Sequence, residues 1–407
     1  MTHTNRKVKI GVVGCGVVAT AYYLPYLMRH PNAELVAVCD LYQTRTEACV
    51  RLFGAREQYL DYYQMLEEAD LDAIWILTAP GTHAAFTLAA VEQGKHVLIQ
   101  KAMATDMDDA RAIASAVRSA GVKALVEPSA NSPLDPVYAH LRDLVRKGVL
   151  GKILWFSLAG TGPTTYHPSL GSNPYGQGAF YDADSGGFLF DLPYAPNQVV
   201  AVLGPCKSVM GATWIGVPDD TIVPEKEYDK FLAGVTDPDQ ANYWDVVLDL
   251  PRTHAVQMEA QDNAYSLYQM ADGSYGTCHV GRIYHPVLPK TGGGSLQVFG
   301  TEGNLLLGAG YQASIISNRT DLLPHVEEDG WYHIRSQATG RSKWPQPTPG
   351  GFNYYHESSR HLIECILEDK QPIVGVDWGL HITEMMCGVV ESHRTGCRYE
   401  MTTTLDY

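Results

Sequence analysis

The chain is predicted to be an α/β protein in which a doubly wound parallel sheet precedes an α+β domain with an open, largely antiparallel sheet. Its 407 residues are 45% hydrophobic and 18% charged, which is typical of globular proteins and sufficient for two cores. Short β-branched runs alternate with helix-period segments in the first part, and longer runs with period two follow. We expect a first domain over residues 1–127 and a second domain over residues 128–407.

The first part is justified run by run. Five short runs are predicted to be strands, and the middle ones are apolar on both faces, as in a sheet covered by helices: residues 8–13, 34–40, 72–79, 96–100 and 122–127. Amphipathic segments 83–93 and 107–120 lie between strands, and a further helix is predicted over 135–147. A sheet of this kind binds its ligand at the carboxyl ends of its strands.

The second part carries period-2 runs that predict strands at 244–250, 255–260 and 295–299. Two long polar segments, 216–242 and 321–352, interrupt it, and we expect lids or subunit contacts there. Near the C-terminus, apolar residues fall at i, i+3, i+4, i+7 and i+8, which predicts a helix packed in the core: Ile382, Met385, Met386, Val389 and Val390.

The charge balance excludes several classes of partner. With 45 acidic and 30 basic side chains the formal charge is −15, and no Lys/Arg run exceeds two residues, so neither nucleic acid nor an anionic membrane is expected to bind. No apolar stretch approaches the ~18 residues of a membrane span, and the polar N-terminus does not resemble a signal peptide, so we expect a cytoplasmic protein. The eight cysteines contain no Cys-x-x-Cys pair, which indicates reduced thiols and no metal site.

A dinucleotide fingerprint follows the first strand. Residues 14–19 read Gly-Cys-Gly-Val-Val-Ala: Gly14 allows a tight turn, Gly16 lets the backbone approach a pyrophosphate, and the helix beginning near Val17 and Val18 turns its N-terminus to the anion. The alternative is a glycine turn that binds no ligand. The position of the motif after the first strand and before a helix favours dinucleotide binding.

Asp40 closes the second strand, where a carboxylate accepts hydrogen bonds from the ribose hydroxyls. A carboxylate there repels a 2′-phosphate, and the following Leu41 supplies no cation, so NAD is expected rather than NADP. The segment 216–242 and its edge carry eight acidic groups, counting Asp245, and we expect them to lie away from the Gly14 turn.

The sequence resembles the Gfo/Idh/MocA oxidoreductases, the family of glucose-fructose oxidoreductase and inositol 2-dehydrogenase. The motifs that carry the resemblance span nearly the whole chain: residues 14–16, 78–83, 94–97, Lys101, 148–152, 185–191 and 300–303. The resemblance implies a Rossmann domain followed by an open-sheet domain that binds substrate and often oligomerises, here as a dimer or tetramer.

The resemblance also implies catalytic residues. Lys101, in Gln-Lys-Ala where the family usually has Glu-Lys-Pro, would reach the nicotinamide ribose and the substrate hydroxyl. Tyr194 would take the place of the family His, as in glucose-fructose oxidoreductase, and Asp191 would orient the hydroxyl. A Lys/Tyr pair is a coherent acid/base constellation, although Tyr194 is equally well explained as a packed aromatic.

Further contacts are expected around the dinucleotide and the substrate. Thr78, Pro80, His83 and Gln100 would contact the cofactor, with His83 alternatively bracing its own helix. Glu127 and Asn197, the second domain's Arg282, and the tyrosine-rich loop before residue 185 would face the substrate, where the loop contributes Tyr166, His167 and Tyr181. Since no basic cluster occurs in these segments, a neutral sugar, glycoside or polyol is expected.

Three functions fit these features. The first is an NAD-dependent oxidoreductase that converts a secondary hydroxyl of a sugar, glycoside or cyclitol to a ketone, with the proton passing to Lys101 or Tyr194. The second is an NAD-dependent glycosidase or lyase that oxidises C3 transiently. The third is a non-catalytic NAD- and sugar-sensing regulator, which the missing family His keeps open.

Overall fold

A computed structural model describes residues 6–163, 182–191, 193–247, 249–284, 295–307, 312–335 and 353–406. The predicted residues Tyr166, His167 and Tyr181 lie outside these ranges. None of the helices in the described ranges is long and apolar enough to cross a membrane.

The first sheet has six parallel strands in the order β3-β2-β1-β4-β5-β6. The strands are β1 (Val8–Val13), β2 (Ala33–Cys39), β3 (Glu57–Tyr59), β4 (Ala73–Ile76), β5 (His96–Ile99) and β6 (Ala124–Val126). Helices on its two faces are α1 (Leu24–Leu27), α2 (Gln43–Phe53), α3 (Tyr62–Glu68), α4 (Pro80–Glu92) and α5 (Met107–Ala120). The predicted Rossmann sheet is therefore confirmed, and its strand order reverses between β1 and β4, where such sheets bind dinucleotides.

The helix after β1 is irregular where the sequence has Pro25. A π-helical turn, Ala19–Tyr23, leads into α1, which carries Pro25 in its first turn. Proline has no N–H and its ring clashes with the preceding turn of an α-helix, so a widened turn accommodates it. The turn also buries Tyr23, whose hydroxyl reaches the functional site described below.

Within the described residues the second sheet has nine strands in the order β16-β15-β14-β13-β7-β12-β11-β8-β17, and of these only β7 and β12 pair in parallel. The strands are β7 (Ile153–Pro163), β8 (Cys206–Trp214), β11 (Asn263–Met270), β12 (Tyr275–Tyr284), β13 (Ser295–Gly300), β14 (Gly303–Leu307), β15 (Gln312–Ser317), β16 (Tyr332–Arg335) and β17 (Tyr399–Glu400). A separate two-stranded ribbon pairs β9 (Asp219–Ile222) with β10 (His254–Gln257). The mostly antiparallel second domain is thus confirmed.

The remaining helices cover one face of the large sheet or return to the first one. They are α6 (Pro136–Arg146), α7 (Gly187–Asp191), α8 (Tyr194–Leu203), α9 (Glu225–Gly234), α10 (Trp244–Val247), α11 (Tyr354–Glu368) and α12 (Val376–Thr395). Helices α6, α8 and α12 pack with the inward side chains of the large sheet in one apolar cluster. All of the predicted core stripe on α12 is buried except Val390, which is partly buried.

Three details depart from the sequence prediction. The run predicted as a strand over 244–250 begins with helix α10, because Tyr243 and Val247, four residues apart, are both fully buried. The segment 216–242 is not an open loop but contains β9 and α9. Beyond residue 127 the chain returns to the first sheet, since Leu362 of α11 packs in the cluster formed by β1 and β2.

Candidate active site

The glycine turn after β1 lies at the switch point of the first sheet. Gly14 has φ +93°, and a Cβ there would come within 2.7 Å of the carbonyl oxygen of Leu77, at the end of β4. A Cβ on Gly16, by contrast, would meet no atom within 4 Å. The backbone beside Gly16 therefore faces open space at the N-terminus of a helix, a cradle that fits a pyrophosphate. The next residue, Val17, is buried and Val18 partly buried.

Asp40 lies at the carboxyl end of β2, as predicted. Its Oδ2 accepts a hydrogen bond from the backbone N–H of Cys15 at 2.7 Å, and its Oδ1 accepts from that of Tyr42 at 3.0 Å. Burial raises the pKa of Asp40, while these two N–H donors and Arg45 act in the opposite direction. The carboxylate is thus fixed against the glycine turn, and each oxygen keeps a lone pair for a ribose hydroxyl.

Arg45, which sequence reasoning missed, stands beside this carboxylate. Its Nη1 is 4.0 Å from Oδ1 of Asp40, while Glu225 accepts from Nη2 at 2.6 Å and Asp229 from Nε at 2.7 Å. The guanidinium also lies over the Tyr42 ring, 4.2 Å from its centroid. The lack of a basic residue at position 41 therefore does not mean that Asp40 has no cation beside it, because Arg45 of α2, four residues later, supplies one.

The acidic helix α9 packs against the nucleotide domain. The Tyr228 hydroxyl donates to the carbonyl oxygen of Cys15 at 2.9 Å and lies 3.1 Å from Oγ1 of Thr20. Tyr228 and Leu232 share an apolar cluster with Val17. The expectation that this acidic segment lies away from the Gly14 turn is wrong, because buried aromatic and aliphatic side chains of α9 dock it there.

The predicted pair Lys101 and Tyr194 is brought together. Lys101 follows β5, Tyr194 begins α8, and Nζ of Lys101 is 5.8 Å from the centroid of the Tyr194 ring. The Lys101–Ala102 peptide bond is cis, as is Glu127–Pro128. The Lys101 side chain therefore lies over the Tyr194 ring at the carboxyl edge of the parallel sheet, where the first domain faces the second.

His83 braces the loops on either side of this edge. Its Nδ1 is 2.6 Å from the carbonyl oxygen of Ala102, and its Nε2 is 3.0 Å from that of Thr78. The ring is fully buried, and burial lowers the pKa of His83. It connects the loop after β4, where Pro80 opens α4, to the lysine loop, which matches the bracing role considered above.

Gln100 belongs to a buried chain of hydrogen bonds that also contains Glu127. Gln100 Oε1 accepts from the Lys101 N–H at 2.9 Å, and its Nε2 donates to the Tyr23 hydroxyl at 3.0 Å. Tyr23 donates in turn to Oε1 of Glu127 at 2.9 Å, and Ser129 N–H donates to Oε2 at 2.5 Å. Glu127 is only 3% exposed, and burial raises its pKa. The family usually has a glutamate where this chain has Gln100. In this chain the carboxylate is that of Glu127, at the end of the neighbouring strand β6, and Tyr23 joins it to Gln100.

Asn197 has a structural environment. Its Nδ2 donates to the carbonyl oxygens of Pro128 and Ala130, at 3.1 and 2.7 Å, and its Oδ1 accepts from Trp378 Nε1 at 2.5 Å. The residue is fully buried. With its amide committed in this way, Asn197 holds the loop after β6, and its contact with substrate, like that of the buried Glu127, stays a prediction.

The Gly-Gly motif brings α7 to the same region. Gly187 has φ +69°, and a Cβ there would meet Ala260 at 2.7 Å. Just before it, Asp184 packs against Gly81 in the first turn of α4. Asp191 ends α7 and Arg282 lies on β12, and the structure describes only the backbone of these two residues.

Two family models match the chain. The model described as "Oxidoreductase family, NAD-binding Rossmann fold" matches residues 8–127, and the model described as "GFO/IDH/MocA C-terminal domain" matches residues 138–306. The chain belongs to the Gfo/Idh/MocA oxidoreductase family. The resemblance inferred from the motifs is thereby confirmed, and NAD is the cofactor of the matched Rossmann model.

Curated members of the Gfo/Idh/MocA family align over part of the chain. An inositol 2-dehydrogenase 3 from Saccharopolyspora erythraea is 29% identical over 196 residues, which cover 47% of this chain and 56% of the relative. A dTDP-3,4-didehydro-2,6-dideoxy-alpha-D-glucose 3-reductase from Actinomadura kijaniata is 29% identical over 208 residues, 50% of this chain and 59% of the relative. The chain thus spans little more than half the length of these relatives.

Solved structures of the same fold align over nearly the whole chain. Levoglucosan dehydrogenase in complex with NADH and levoglucosan has a TM-score of 0.74 at 17% identity, covering 98% of this chain and 100% of the other. An oxidoreductase from Agrobacterium radiobacter in complex with NAD+, L-tartaric acid and magnesium has a TM-score of 0.72 at 15% identity, with 97% and 98% covered. At these identities the likeness shows the shared fold.

Proposed function

We propose that this protein is an NAD-dependent dehydrogenase that oxidises a secondary hydroxyl of a neutral sugar, glycoside or cyclitol to a ketone. The observation that carries the proposal is the meeting of Lys101 and Tyr194 at the carboxyl edge of a sheet whose Gly14 turn, open Gly16 and Asp40 fit a dinucleotide. The names of the aligned relatives, inositol and sugar oxidoreductases, support the substrate class.

The chain's own groups divide the work. A bound NAD supplies the hydride acceptor. Asp40 and the turn at Gly16 would hold its adenosine ribose and pyrophosphate. Lys101 and Tyr194 would flank the substrate hydroxyl, and the neutral amine of the one or the phenolate of the other would accept the hydroxyl proton as the carbon–hydrogen bond breaks.

The backbone on both sides of Lys101 is held by buried hydrogen bonds. The backbone N–H of Lys101 donates to Gln100, which Tyr23 and Glu127 anchor, and the carbonyl of Ala102 is held by His83. Both flanks of the lysine are therefore fixed by buried contacts. Preorganisation of this kind is what converts a nearby base into an effective one.

The test is a screen of purified protein with NAD against sugars, inositols and aryl glycosides, followed by absorbance at 340 nm. We expect one molecule of NADH for each molecule of substrate oxidised, with the carbon skeleton of the substrate intact. On the best substrate, Lys101→Ala and Tyr194→Phe should each lower kcat/KM by about 100-fold or more, whereas Lys147→Ala, at an exposed lysine paired with Asp143, should not change it.

Two results contradict the proposal. Unchanged turnover in Lys101→Ala would show that Lys101 is not needed to accept the proton. Cleavage of an aryl glycoside without net NADH would instead identify a glycosidase that oxidises and re-reduces its substrate.

A further inference from the structure

Helix α9 places two carboxylates on the guanidinium that stands nearest the ribose-binding Asp40. Arg45 is 2% exposed, and Glu225 and Asp229 accept its hydrogen bonds at 2.6 and 2.7 Å. Both acids come from the C-terminal part of the chain, about 180 residues later. Their side chains remain about a quarter exposed, so they line the surface at which the adenosine end of a dinucleotide would lie.

Arg45 is otherwise suited to binding a 2′-phosphate. Its Nη1 is 4.0 Å from Oδ1 of Asp40, the group expected to accept from the ribose hydroxyls. In Rossmann domains an arginine near the ribose-binding residue accommodates the 2′-phosphate of NADP, because its forked N–H groups match a phosphate. In this chain Asp229 accepts from Nε of Arg45 and Glu225 from Nη2, so the acids of α9 occupy two of the three guanidinium nitrogens.

From this arrangement we infer that Glu225 and Asp229 determine cofactor specificity, by occupying Arg45 so that it cannot receive a 2′-phosphate and by adding negative charge beside Asp40. The inference rests on the proposed NAD-dependent function and extends it to residues outside the nucleotide domain. The three carboxylates around one guanidinium leave a net negative charge where the additional phosphate of NADP would lie, whereas the hydroxyl of NAD meets no such repulsion.

Helix α9 is fixed firmly enough for this role. Tyr228 lies between Glu225 and Asp229 in the sequence, and its hydroxyl donates to the carbonyl oxygen of Cys15 in the glycine turn. The centroid of the Tyr228 ring is 5.1 Å from the guanidinium carbon of Arg45. The two acids are thus held at the nucleotide site by contacts independent of their own charges, so their neutralisation is not expected to release the helix.

The experiment measures direct binding of NADH and NADPH to the full chain, by nicotinamide fluorescence, without any substrate. We expect Glu225→Gln and Asp229→Asn each to tighten NADPH binding about fivefold while NADH binding stays within about twofold, and the double variant to tighten NADPH by more than tenfold. In each single variant Arg45 keeps one carboxylate partner, so the protein should remain folded, which thermal unfolding verifies.

Two matched variants isolate the mechanism. Glu227→Gln removes the same charge from the same helix, but Glu227 pairs with Lys230 at 2.7 Å and not with Arg45, so the ratio of the two dissociation constants should not change. Adding Arg45→Gln to the double variant should abolish the gain for NADPH, since the released guanidinium is what receives the phosphate.

The outcomes are distinct. If folded single variants keep the wild-type ratio of NADPH to NADH affinity, or lose both cofactors in parallel, α9 has a structural role only and the inference is overturned. If the wild-type chain binds neither dinucleotide, the proposed function fails first, and the specificity role fails with it.

Discussion

Glu127 is a buried carboxylate surrounded by donors, and it is the residue whose removal tests the support beneath Lys101. Tyr23 and Ser129 both donate to it. In Glu127→Gln the amide NH2 must face one of these two donors, and a buried donor left unpaired costs about 1–3 kcal/mol. We expect the free energy of unfolding to fall by that amount in urea denaturation, whereas Glu92→Gln, on the exposed surface of α4, should leave it unchanged.

The pH dependence of the same variant has a defined sign. Because burial raises the pKa of Glu127 above its value in the unfolded chain, its contribution to stability is fully present below the unfolded pKa and is lost as pH rises through the raised value. A glutamine does not titrate. The difference in unfolding free energy between wild type and Glu127→Gln should therefore be largest at acid pH and narrow towards alkaline pH, and a difference that widens instead would contradict the raised pKa.

At the residue scale the sequence identified positions by motif but not their partners. Gly14 and Asp40 were predicted from the dinucleotide motif, and Lys101 and Tyr194 from the family resemblance; the structure brings each to the carboxyl edge of the first sheet. Arg45 was missed because only the residue directly after Asp40 was considered, although a basic residue in the first turn of the following helix was a readable signal. Tyr23 carried no such signal, since its contact with Glu127 depends on a π-helical turn.

The docking of helix α9 makes a prediction at the scale of elements. The Tyr228 hydroxyl satisfies the carbonyl of Cys15, while the buried hydroxyl of the neighbouring Tyr243 has no hydrogen-bond partner among the described residues. Tyr228→Phe should thus lower the free energy of unfolding by about 1 kcal/mol and speed amide hydrogen exchange in α9. Tyr243→Phe, in the same apolar cluster, should leave both unchanged or increase stability. Equal effects of the two substitutions would show that the hydrogen bond to Cys15 does not hold the helix.

Prediction of elements succeeded where periodicity was strong and failed where tertiary contacts decided the structure. Helix α5 begins and ends at the predicted residues, 107 and 120. The three-residue edge strand β3 is too short and polar to be recognised. The run at 244–250 alternates as a strand does, yet burial of Tyr243 and Val247 on one side makes its first turn helical, which is the known ambiguity of short apolar runs.

At the scale of the whole molecule, the large sheet has two contrasting faces. Helices α6, α8 and α12 cover the inner one. On the outer face, the strand register places Tyr275, Trp155 and Phe299 side by side on β12, β7 and β13, and each is more than a third exposed. Met210, Trp214, Tyr265, Leu306 and Ile316 extend the same exposed apolar surface. Contiguous apolar surfaces of this extent mark interfaces rather than solvated faces.

We therefore expect the chain to self-associate through the outer face of the large sheet, which would supply the homo-oligomer that the family resemblance implies. A charge introduced within this face should oppose association, because pairing two copies would bury it without a partner. Tyr265→Glu should shift the mass measured by sedimentation velocity or light scattering towards the monomer. Leu60→Glu, at an equally exposed apolar side chain in the first domain, should leave the mass unchanged. Monomeric wild-type protein would contradict the expectation, and an oligomer unaffected by Tyr265→Glu would place the interface elsewhere. NADH affinity should be preserved in Tyr265→Glu, since the glycine turn and Asp40 lie in the other sheet.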